Sequence, residues 1–283
     1  MSGNRCHADA GHVLRVLLDR WRGTLLGTCL LGFLVPAQAH DTWLTRAGTG
    51  EDGRLLQLEL GTGPRFPLRE SGPRLPSVAQ AACRTPGKQA VLVPRQEHAT
   101  HLEMRARTDA SAGAACWVEL KAQDVELTPE LVDTYFSEIR ASPEAIDRWK
   151  RQQAAGGGWR ESYRKFIRIE MPPANAERVP LDLREPQGMA MEIVPIGSQA
   201  IRTAQPYSYQ LWWDGAPLAN QWVEFVSERH TLGVWQRSDA RGQVRLALPF
   251  GGRWLLRATR LEPPGEPRQG WRSRFATLVV HVR

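Results

Sequence analysis

The chain has 283 residues, with 37 Lys and Arg against 30 Asp and Glu and a formal net charge of +7. The excess is mild, mostly arginine and scattered, with no Lys/Arg run of the kind that tracks a nucleic-acid backbone, so nucleic acid is excluded as a partner. Beyond the leader no stretch is long and apolar enough to span a bilayer, and there is no Gly-rich or Ser-rich disordered tail.

The first element is a leader. Residues 23–35 are apolar and uncharged, Arg15, Arg20 and Arg22 precede them, and Pro36 and Ala37-Gln38-Ala39 follow. This is the pattern of a signal peptide cleaved after Ala39. The apolar run is shorter than the roughly 20 residues that cross a bilayer. A lipoprotein reading of Leu26-Gly27-Thr28-Cys29 fails because Thr precedes the cysteine and apolar sequence continues beyond it. The long charged leader leaves the translation start open without moving the cleavage site. The expected product is periplasmic or secreted, begins at His40 and does not span a membrane.

Cys6 and Cys29 leave with the leader, so Cys83 and Cys116 remain. In an oxidising compartment an even count favours a disulfide over two buried thiols. The loop of about 34 residues would make that bridge worth roughly 3–4 kcal/mol.

The mature chain then reads mainly as strands. Leu55 to Leu60 alternates over its second half, Ala90 to Val93 is a short buried-type run ending at Pro94, and Cys116 to Leu120 is another strand. Thr100 to Arg107 alternates, with Leu102, Met104 and Ala106 on one face and His101, Glu103 and Arg105 on the other. The period changes at Thr128-Pro129-Glu130 and again at Ser142-Pro143-Glu144. Each is a capping residue followed by proline at the first helical position. Leu131, Tyr135 and Ile139, then Ile146 and Trp149, follow at helical spacing, and Gly156-Gly157-Gly158 stops the second helix.

Residues 128–156 are therefore a two-helix insertion, too short to bury a core of its own. Strand signals resume at Tyr163 to Glu170, and residues 172–184 form a proline-rich connector. From Gly188 short strands recur at even spacing: Met191–Val194, Tyr207–Trp213, Trp222–Val226, Val244–Leu248, Trp254–Ala258 and Phe275–Val282. Turns at Asp214-Gly215, Ala240-Arg241-Gly242 and Gly251-Gly252 separate several of them, which indicates an Ig-like or transthyretin-like β-sandwich. The predicted architecture is mainly β, with an N-terminal β domain over 40–184 carrying the helical insertion and a C-terminal sandwich over 188–283.

Candidate chemistry rests on five mature histidines: His40, His98, His101, His230 and His281. Cleavage before His40 would put a free α-amine and an imidazole on one residue, a chelate for Cu(II) or Ni(II) that needs no folding. The amine pKa near 8 lets a metal compete with its proton at neutral pH. The third mature residue is Thr42, so the terminal copper motif with histidine at position three is absent. His98 and His101 form a ligand pair on a helix, where residues three apart share a face. On the strand predicted here that spacing sends them to opposite faces. His230 lies in a polar loop and His281 points outward from the last strand. Trp212, Trp213, Trp222, Trp235 and Trp254 crowd one small domain, either as an aromatic core with an interdomain contact or, for Trp212, Trp213 and Trp235, as a surface that stacks on a ligand. There is no Gly-x-Ser-x-Gly elbow, no His-Glu-x-x-His and no phosphate-binding glycine loop. A non-enzymatic protein is expected.

Several motifs stand in order along the chain. Ala39-His40-Asp41-Thr42-Trp43-Leu44 matches an "A-H-x-x-W-L" opening, and the Trp159-Arg160-Glu161-Ser162-Tyr163 run also fits. Gly188 to Pro195 reads "G-x-x-x-E-I-V-P" and Gly215 to Ala219 reads "G-x-P-L-x". Ser238 to Gly242 resembles a "T-D-A-x-G" turn with Ser for Thr, Pro249 to Trp254 is similar to "P-x-x-G-x-W", and Ser273 to Leu278 to "S-x-x-A-x-L". Together these cover most of the mature chain and resemble the DUF4198 family of exported proteins, some connected with nickel or cobalt uptake. The resemblance implies an exported two-part β protein linked to nickel or cobalt uptake, with a membrane metal transporter as the partner; together with the His40 chelate, the expected metal is Cu, Ni or Co. Unlike many metal-uptake accessory proteins, the chain has no His-rich loop. Three functions follow from this reading: a metal-binding accessory of uptake anchored on His40, a ligand- or protein-binding sandwich that uses its aromatic surface, and a copper protein of the histidine-brace type.

Overall fold

Short apolar stretches bounded by turns become strands along nearly the whole chain. The computed structural model describes residues 40–283 apart from 51–53, 231, 267 and 268. The expected signal peptide lies outside the described residues. Eight strands come first: β1 (Asp41–Thr49), β2 (Leu55–Gly63), β3 (Val78–Thr85), β4 (Lys88–Val91), β5 (Val93–Glu97), β6 (Leu102–Arg107), β7 (Ala114–Leu120) and β8 (Gln123–Leu127). Two helices follow, α1 (Pro129–Ile139) and α2 (Pro143–Ala154). The chain then forms β9 (Trp159–Met171), β10 (Met191–Pro195), β11 (Pro206–Trp213), β12 (Ala216–Pro217) and β13 (Trp222–Ser227). It ends with β14 (Val234–Arg237), β15 (Gln243–Ala247), β16 (Gly252–Glu262) and β17 (Trp271–Val282). Among the described residues no helix is long and apolar enough to cross a membrane.

The strands form three sheets. A nine-stranded sheet has the order β14-β13-β16-β17-β9-β7-β3-β4, with β8 also on β9. A second sheet has the order β1-β2-β6-β5, and a third joins β10, β11 and β12 with β15 on β11. Because side chains alternate along a strand, the central strands of the large sheet feed two cores. Cys116, Val118, Ile167, Leu255 and Val279 pack with Leu58, Leu60, Leu102 and Met104 of the second sheet. Trp117, Phe166, Leu256 and Leu278 pack with Ile193, Tyr209 and Leu211 of the third. The large sheet is thus the middle layer, covered on both faces. That explains the unbroken apolar reading of Cys116 to Val118, where a one-sided strand would alternate. β17 pairs in parallel with β9, so the sheet runs through the boundary expected at residues 184–188.

Both helices start where the caps predict. Thr128 accepts from the Leu131 N–H and Ser142 from the Ala145 N–H. Their apolar faces bury Val132, Tyr135, Phe136, Ile139 and Trp149 against Trp159, Trp271 and Phe275. Cys83 and Cys116 lie opposite each other on β3 and β7 and form the expected disulfide. The run Ala90 to Val93 departs from expectation. It breaks at Leu92 into β4 and β5, which belong to different sheets, and Val91 is 70% exposed.

Two of the C-terminal sequence motifs tie down turns. Glu192 of the "G-x-x-x-E-I-V-P" stretch is buried and accepts from the Gln187 and Met189 N–H groups and from Arg168 at 3.2 Å. It locks the turn through Gly188, whose φ of +81° only glycine adopts freely, onto β9. In the Asp239-to-Gly242 turn, Asp239 accepts from the Arg241 and Gln243 N–H groups, each at 2.8 Å.

Candidate functional site

Leu102, Met104 and Ala106 point into the core and fix β6 beside β2. β5 runs back along the other side of β6, and the His98 N–H donates to the His101 carbonyl at 2.8 Å, closing a tight turn through Ala99 and Thr100. His98 and His101 therefore flank a turn as facing residues of a hairpin. Their rings stack at 4.4 Å between centroids with 17° between planes. This corrects the expected placement on opposite faces. Alternation holds within one strand, but the chain reverses between these two residues.

Carboxylates border the pair. Glu59 and Glu103 are directly opposite on β2 and β6. Glu59 Oε1 lies 3.5 Å from His101 Nε2, and Glu103 Oε2 lies 3.7 Å from His98 Nε2. Each carboxylate also holds an arginine, Arg69 on Glu59 at 2.5 Å and Arg105 on Glu103. Partial burial lowers the His101 pKa, the Glu59 carboxylate opposes that shift, and Arg69 adds to it. The ring is thereby biased toward the neutral form that binds metal. The two imidazoles thus share a face with two carboxylates at ion-pair distance, and His101 Nδ1 lies 3.3 Å from Thr100 Oγ1. Among the described residues no three His, Cys, Asp or Glu side chains stand gathered as a ready-made site.

His40 sits elsewhere. Its carbonyl accepts from Lys165 Nζ at 2.6 Å, Thr42 Oγ1 accepts from the same amine at 3.2 Å, and Thr277 Oγ1 donates to the Thr42 carbonyl at 2.7 Å. Asp41 pairs with Arg257, which also holds Glu224. Burial pushes the Lys165 ammonium down to about 8, and Asp41 offsets this in part. The start of β1 is thus held by two cations, Lys165 on the His40 carbonyl and Arg257 on Asp41, with Glu224 also paired to Arg257. Thr45, opposite Glu59, is five residues along β1 from His40, roughly 17 Å of extended chain. The structure does not bring His40 together with His98 and His101.

The three tryptophans are half-buried rather than openly displayed. Arg274 covers Trp213, its guanidinium carbon 4.0 Å from the ring centroid. Arg140 covers Trp235 at 4.6 Å and Trp222 at 4.8 Å. Trp212 faces Glu192 on β10 and Pro217 on β12 in the pairing register. His230 and His281 are exposed, as expected. Sequence reasoning missed Glu59, Glu103, Lys165 and Arg140. Glu103 carried a signal, since it shares a strand face with His101; the others come from distant strands or from a helix end and carried none.

The family model described as "Domain of unknown function (DUF4198)" matches residues 37–262. No curated protein matches the chain. One similar solved structure is described as "Structural insight into host cell surface retention of a 1.5-MDa bacterial ice-binding adhesin", at 8% identity and a TM-score of 0.23. The similarity covers 86% of this chain and 64% of that one.

Proposed function

The chain belongs to the DUF4198 family, and we propose that it is an exported, non-catalytic metal-binding protein that holds a first-row divalent ion at the His98–His101 hairpin. The observation that supports this reading is the stacked imidazole pair with Glu59 and Glu103 facing its Nε2 atoms. Two imidazoles suit copper, nickel or cobalt, and copper binds most tightly in the usual divalent order. Two protein ligands leave coordination positions open. Those positions let a membrane transporter add its own ligands and take the ion, which suits an accessory of uptake. His40 is a second candidate, because a processed terminus would add an amine to its imidazole.

Calorimetric titration of the processed protein with Cu(II), Ni(II) and Co(II) tests the assignment. Replacing His98 and His101 together with alanine should remove the tight event. His40→Ala, or one extra residue before His40, should leave it in place. If His40→Ala and the extended form both lose binding while the His98/His101 double variant keeps it, the terminal chelate is the site and the hairpin is not.

A further inference from the structure

We propose that the cleft between the helical insertion and the edge of the large sheet binds the oxyanion group of a small ligand, a carboxylate or a phosphate. The cleft has a volume of about 380 Å³, and its lining includes Arg140, Arg237, Arg260, Glu144 and Trp222. Three exposed guanidinium groups therefore share a concavity with one carboxylate. Glu224 also lies near Arg140, but Arg257 already holds it. Arg237 donates from Nε to the Asn220 carbonyl and lies 5.8 Å from the Trp222 ring centroid.

Arg140 gives the strongest indication. It ends α1 in the left-handed conformation, φ 50° and ψ 55°, at a position where glycine or asparagine is the ordinary choice. An arginine there costs backbone energy, and its guanidinium lies over the rings of both Trp222 and Trp235. Those contacts preorganise a planar, permanently charged donor beside the cleft, the group best matched to a carboxylate or phosphate. The indole faces are occupied by arginine, so they hold the anion-binding groups and do not stack on the ligand. This inference is independent of the metal site.

The test is titration of the mature protein with inorganic phosphate and with glucuronate, each against chloride at equal ionic strength. Saturable binding of either is expected, and which one binds tells phosphate from carboxylate. Arg140→Gly suits the left-handed backbone and should fold normally. It and Arg260→Ala should each weaken binding roughly tenfold, the loss expected for one charge-assisted contact. Arg95→Ala, on β5, should change nothing. The proposal is overturned if neither anion binds more tightly than chloride, or if Arg140→Gly and Arg260→Ala both bind like the parent.

Discussion

The imidazoles of His98 and His101 lie face to face, 4.4 Å between centroids, because the chain reverses between them. The hairpin sits on a rigid base: Leu102 and Met104 are fully buried, and β6 is flanked by β2 and β5. A pair held this way loses little side-chain freedom on binding an ion, which favours affinity without further ligands.

The disulfide should matter to stability. Cys83 and Cys116 are 33 residues apart in sequence, so their bridge should contribute about 3–4 kcal/mol by restricting the unfolded chain. Replacing both with alanine should lower the free energy of urea unfolding by that amount. A loss below about 1 kcal/mol would show that the bridge adds little.

Two ion pairs should behave oppositely. Arg168 and Glu192 are each 1% exposed, and Glu192→Ala would strand a buried guanidinium at a cost of about 3–5 kcal/mol. Arg160 and Glu126 are 79% and 75% exposed, and Glu126→Ala should cost less than about 0.5 kcal/mol. Denaturant midpoints of the two variants compare them directly, and similar losses would contradict the structural role given to Glu192.

Lys165 predicts a pH effect with a defined sign. Its folded pKa is depressed to about 8 from an ordinary 10.5, chiefly by burial, so between those values the unfolded chain binds the extra proton. Stability should therefore rise with pH from about 8 to 10, by about 2 kcal/mol. Above 10 the half-buried Tyr207 and the buried Tyr209, whose pKa values are raised, reverse the trend. Thermal melts in that window should show the rise in the parent and not in Lys165→Met. A parent whose stability is flat or falling from pH 8 to 10 would contradict the buried-lysine assignment.

The elements were legible where local chemistry decides them. Thr128-Pro129 and Ser142-Pro143 announce the helices because capping and proline act within one turn. The Cys116–Leu120 run announces a strand; that both its faces are covered came only with the structure, since a local pattern does not name the layers that pack on it. The parallel pairing of β9 with β17 joins residues more than 100 apart, and no local signal encodes it. The candidate site was half legible. Both histidines were singled out, yet the alternation of Leu102, Met104 and Ala106 seemed to extend back through His101 and masked the turn that brings the rings together. Glu59 arrives by the pairing of β2 with β6, and Lys165 reaches the start of β1 across two packed sheets, neither of which a local pattern reveals.

Residue-resolved NMR of the imidazole nitrogens during substoichiometric Cu(II) addition tests metal binding at the hairpin most directly. Paramagnetic broadening should strike His98 and His101 first and together, with His40, His230 and His281 still sharp. Broadening that begins at His40, or that spreads over all five histidines at once, would contradict the hairpin as the metal site.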